Sequence, residues 1–170
     1  MITPQVGAEG IRKALAILKQ TDETVVKDLR GELRAKIGPI AKKTAEAVPT
    51  RPPLSGMGNP GPTGWTSVRS SVSVTPGRSR KTGNHLVSIR VTPRGKQRGV
   101  YIGELAGSRS SGTQARGRRL INVLNQRFPM KGKGGRFAYN RFRLLRPDAV
   151  DIAVGIVNRT VKKLDKKLKI

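Results

Sequence analysis

With 170 residues the chain can bury a modest core, yet only 35% of it is hydrophobic and its formal net charge is +25. Self-repulsion at that charge disfavours a compact isolated monomer and points to a polyanion or an assembly partner. Nucleic acid comes first, because neutralised phosphates release counterions.

Other classes are excluded by similar arguments. Without cysteine there are no disulfides, zinc-thiolate centres or thiol nucleophiles. The opening "MITPQVGAEGIRKALAIL" has no long apolar run, so no secretory signal is expected. Nor is there an apolar stretch of about 18 residues, so no membrane span is predicted. A membrane surface is a weaker partner than nucleic acid, since the cationic residues do not oppose an apolar helix face.

Residues 1–48 read as a long helix. Ile11, Leu15, Leu18, Val25, Leu29, Leu33, Ile37, Ile40 and Ala41 recur close to a 3.6-residue period. Pro39 should kink or break it, with a brief resumption through Ala45 and a stop before Pro49. Residues 49–64, dense in Pro and Gly, form a loop. Residues 65–105 are expected to be an antiparallel sheet of three strands. Val68, Val72 and Val74 alternate in the first, and Leu86 or Val87 with Ile89 and Val91 in the second. "GVYIGEL" (99–105) is the third.

Residues 106–146 form a basic Gly/Arg-rich arm. Within it "RRLINVLNQRF" can form a helix of about two turns, and an extended segment docks through Phe137, Tyr139 and Phe142. The last helix, 147–170, is predicted to start with Pro147 at its first position and Asp148 and Asp151 in its first turn. Val150, Val154, Val157, Val161, Leu164 and Leu168 give it one apolar stripe. The expectation is a single α+β domain in which this helix packs on the sheet, the open face of which needs a cover.

Between Ala47 and Pro147 there are twenty Lys or Arg and one carboxylate, Glu104. Catalysis finds no constellation here. His85 is the only histidine and has no orienting partner in sequence, and Glu104 has no second carboxylate nearby. Hard-cation binding would need several acids. "GKGGR" (132–136) lacks the spacing of a nucleotide-binding loop. No enzyme, cofactor or metal is expected. Candidates for contact with DNA or another polyanion are Arg109, Arg116, Arg118, Arg119, Arg127, Lys131, Lys133 and Arg136, with interleaved glycines that let backbone approach phosphates. Acidic surfaces of neighbouring proteins are an equal alternative. Glu104 is expected to anchor a strand end by pairing with arginines within or between subunits, so that Glu104→Gln impairs assembly.

Several segments together resemble a family of long-tailed bacteriophages, the head-to-tail connector or tail-completion (minor tail) proteins. They are "AKKTAEAVPTRPPLSG" with "GWTSVRSSVSV", then "VYIGELAGS", then "RPDAVDIAVGIVNRTVKKLDKKL". The Pro-rich link at 51–64 is longer than in that family, and "RFRLLRPDAV" only approximates its lead into the last helix. The resemblance implies a virion protein assembled in the host cytoplasm. It would form a homo-oligomeric ring at the neck or top of the tail, bind adjacent portal-side and tail proteins, and line the DNA path. The alternative is a non-specific nucleic-acid-binding protein of the ribosome or nucleoid.

Overall fold

The first helix in the structure, a computed structural model describing residues 23–74, 87–109, 114–130 and 135–168, is α1, Glu23–Glu46. Its buried positions Val26, Leu29, Leu33, Ile37, Ile40, Ala41 and Thr44 fall on one face, as the period predicts. Pro39 sits inside a helix that continues past it and stops at Glu46. The expected turns through Ile11, Leu15 and Leu18 lie outside the described residues.

Strand β1, Val68–Val74, alternates strictly, with Arg69, Ser71 and Ser73 exposed. It pairs with β2, Val87–Pro93, in a two-stranded antiparallel sheet. The connection between them, with His85 and Leu86, lies outside the described residues.

The predicted third strand is a helix. Gly99–Leu105 forms α2, and its buried residues Gly99, Val100 and Gly103 follow helical spacing. The V-Y-I run that suggests a strand is overruled by packing. A Cβ at Gly103 would lie 3.0 Å from the Phe137 ring and 3.2 Å from Trp65. The bare glycine therefore lets a helix lie directly against both aromatics. Seven residues are too few to hold a helix alone, so this contact decides the conformation.

The basic arm is also more ordered than predicted. Ala115–Arg127 forms α3, longer than two turns, with Ile121 and Leu124 buried. The last helix, α4, runs Ala138–Leu168 and encloses Pro147. This corrects both its predicted start and the extended segment: Phe137 is buried, Phe142 is half-buried and Tyr139 is exposed. The predicted apolar stripe holds through the middle of the helix: Val157 is buried, and Val154 and Val161 pack against the same core, with Ile156 and Thr160 also buried. Val150 is the exception, being exposed. The α+β class stands with four helices and two strands among the described residues, not three strands.

The chain divides into two compact units. The first comprises Met1–Pro39, Ser71–Arg90 and Arg146–Ile170. Its core gathers Val26, Leu29, Leu33, Ile37, Val74, Ile156 and Val157, flanked by Val72, Val87 and Ile89. Here α4 packs beside α1 and the strands. Thr160 is tolerated inside because its hydroxyl donates to the Ile156 carbonyl at 2.9 Å. The second unit comprises Ile40–Ser70 and Val91–Leu145. Its core is Val48, Trp65, Val100, Leu124 and Phe137. Phe137 meets Trp65 and Phe128 edge-on, with centroids 6.0 and 5.0 Å apart. The Trp65 indole N–H donates to the Pro49 carbonyl at 2.9 Å.

Candidate nucleic-acid interface and the Glu104 anchor

Helix α4 begins without an acidic residue in its own first turn. The N–H groups of a first turn have no partner within the helix and favour an anion. Glu104, at the end of α2, supplies it. One carboxylate oxygen accepts the N–H groups of Phe137 and Ala138 at 2.8 and 3.2 Å, and the other accepts that of Tyr139 at 2.9 Å. The Glu104 carbonyl also accepts the Arg136 N–H at 3.2 Å. Gly135 makes room for this, because a Cβ there would overlap the carboxylate.

The described partners of Glu104 are thus backbone amides, where sequence reasoning expected guanidinium groups. Among the described residues the one ion pair joins Arg159 to Glu32 at 2.7 Å, in the first unit.

Arg136, a candidate for DNA contact, is only 3% exposed. Its Nε donates to the Ala106 carbonyl at 3.0 Å and its Nη1 to the Phe128 carbonyl at 2.8 Å. Its Nη2 donates to the Gly107 carbonyl at 2.8 Å and to Asn125 Oδ1 at 2.7 Å. Burial pushes its pKa down from the ordinary arginine value. Arginine starts so high that the group remains cationic at neutral pH. The fork fastens the segment after α2, the end of α3 and the approach to α4, and leaves little of itself for a phosphate. Asn125, unremarked in sequence, completes it and donates to the Ser108 carbonyl at 3.0 Å.

The remaining candidates separate clearly. Lys131 and Lys133 lie outside the described residues, and Arg109 is exposed before α3. Arg116, Arg118, Arg119 and Arg127 are all exposed on α3; Arg119 lies opposite the face that buries Ile121 and Leu124, and the other three flank that face. Arg116, Arg119 and Arg127 follow one helical stripe that passes through Val123, spanning about 16 Å at 1.5 Å per residue. No acid occupies the first turn of α3. Arginines therefore crowd the positive end of its dipole, the reverse of the favourable arrangement.

Among the described residues no group of three or more His, Asp or Glu side chains could hold a metal ion, and no helix is long and apolar enough to cross a membrane. Comparisons with protein-family models, curated proteins and solved structures found no match to this chain.

Proposed function

We propose that this chain is a virion structural protein, a subunit of a head-to-tail connector or tail-completion ring at the neck of a long-tailed phage, with a basic face turned to DNA. The observation that carries the DNA contact is the exposed arginine stripe of α3, with Arg118 beside it. A row of guanidinium groups on one helix binds the phosphate backbone by charge and geometry and reads no sequence. The phage setting rests on the resemblance of "VYIGELAGS" and its flanking segments to that family.

The test has two arms. In the first, the full chain binds unrelated duplexes with equal affinity. Changing Arg116 and Arg119 to Gln lowers the slope of log K against log salt by about 0.9 per lost phosphate contact. An unchanged slope removes α3 from the interface. In the second, the chain assembles with portal-side or tail proteins into rings visible by electron microscopy. A chain that stays monomeric and binds neither neighbour overturns the connector role. Tight DNA binding without ring formation would favour a nucleoid- or ribosome-associated protein, which the same arginine stripe would serve.

A further inference from the structure

The second unit carries an exposed apolar ridge that the DNA-binding stripe does not use. On α2, Tyr101 is 44% exposed, Ile102 38% and Leu105 77%, while the opposite face of the helix is buried. Tyr101 and Leu105 are one turn apart on the same side. Tyr139, 57% exposed, is brought close to the end of α2 by its backbone, the N–H of which donates to the carboxylate of Glu104, the residue before Leu105. Single exposed apolar residues are ordinary on a protein surface, but a cluster held on one short, anchored helix is the mark of a contact site.

The surroundings specify the partner. Arg98 precedes α2 by one residue and lies one turn from Tyr101 and Ile102, and Arg143 lies one turn beyond Tyr139; both are exposed. Residues 40–70 and 91–145 contain only two carboxylates, Glu46 and Glu104, and Glu104 is occupied at the start of α4. Two copies of this face brought together would oppose arginine with arginine. Nucleic acid would satisfy the arginines and could stack on Tyr101 and Tyr139, but it would gain little from burying Ile102 and Leu105, the latter the most exposed of the four, which neither stack nor hydrogen-bond.

We infer that the ridge of Tyr101, Ile102, Leu105 and Tyr139 is a docking site for a partner protein that presents an apolar strip flanked by carboxylates. The site is separate from the arginine stripe of α3 and stands whether or not the chain is a phage connector. The apolar strip supplies the affinity at the centre, and the arginine rim selects acidic partners and speeds encounter.

The test titrates the full chain with a fluorescent synthetic helical peptide that carries leucines on one face and glutamates beside them. The control is a peptide of the same composition with scrambled order. By anisotropy, the amphipathic peptide binds saturably and the scrambled one more weakly. Ile102→Ser with Leu105→Ser weakens binding about tenfold or more, as loss of central apolar contacts does. Arg98→Gln with Arg143→Gln flattens its salt dependence, while Arg116→Gln with Arg119→Gln leaves it unchanged. These side chains are exposed, so the variants keep the wild-type Trp65 fluorescence. Equal binding of both peptides, or indifference to the serine variants, overturns the inference. Two further outcomes also overturn it. Loss of self-association in the serine variants by sedimentation velocity would assign the ridge to a second copy. Loss of oligonucleotide binding would assign it to nucleic acid.

Discussion

A carboxylate that accepts three backbone N–H groups does something an amide cannot. Glutamine at position 104 keeps one acceptor oxygen but turns an NH2 group toward donors. Glu104→Gln is expected to lower stability by about 1–2 kcal/mol, the range for loss of a helix cap, measured by urea unfolding followed through Trp65. Gly135→Ala forces the same carboxylate aside. Its cost should largely vanish in a Glu104→Ala background, and additive costs in that double-mutant cycle would show that the two residues act independently. Arg136→Lys offers a compact ammonium where a planar fork meets four acceptors. It should cost about 1–3 kcal/mol, the penalty for a buried polar group left unsatisfied. The salt dependence of DNA binding should stay unaltered, because this side chain is inside. A weakened DNA slope would return Arg136 to the surface.

At the scale of elements, α2 and the start of α4 depend on each other. The glycine at 103 lets α2 touch Trp65 and Phe137, and Phe137 stands at the point where Glu104 meets the first turn of α4. Gly103→Val would push a branched side chain into both rings and should cost about 1–3 kcal/mol, as overpacking does. Because α2 and α4 share that contact, near-ultraviolet circular dichroism of the aromatics should change along with the unfolding midpoint. A Gly103→Val variant as stable as wild type would mean that α2 is not seated on these rings. Pro147 belongs to the same account. It lacks the N–H that would bond the Arg143 carbonyl, which by itself argues for a helix start. With the first turn supplied at Ala138, the helix instead runs through the proline.

For the whole molecule the governing quantity is the charge of +25. Like charges held together by folding oppose it, and salt screens them over a Debye length of about 8 Å at physiological ionic strength. The melting temperature should therefore rise as NaCl is raised from about 0.05 to about 0.5 M, and rise further with a non-specific duplex that binds the folded chain alone. Scanning fluorimetry checks both, and a melting temperature that falls with salt would mean that attractive pairs outweigh the repulsion. The charge also divides the surfaces. One helix turns arginines outward without a large apolar residue of comparable exposure, and another turns apolar side chains outward inside a basic rim. The two faces suit different partners.

The features legible from residue order alone are those written within a few residues of chain. The 3.6-residue period places Leu29, Leu33 and Ile37 on the buried face of α1, and the two-residue alternation of Val68, Val72 and Val74 marks β1. The excess of arginine over acid between 47 and 147 marks the basic face. The roles of Glu104 and Arg136, expected from residue order in an arginine pair and on a DNA surface, emerge from long-range packing. The Glu104 carboxylate meets amides 33 to 35 residues away, and the Arg136 fork meets carbonyls up to 30 residues away. No local pattern records such distances. The helix of Gly99–Leu105 was hidden for the same reason. In seven residues, alternation and helical spacing are nearly indistinguishable, and the choice was made by Trp65 and Phe137 packing against a glycine.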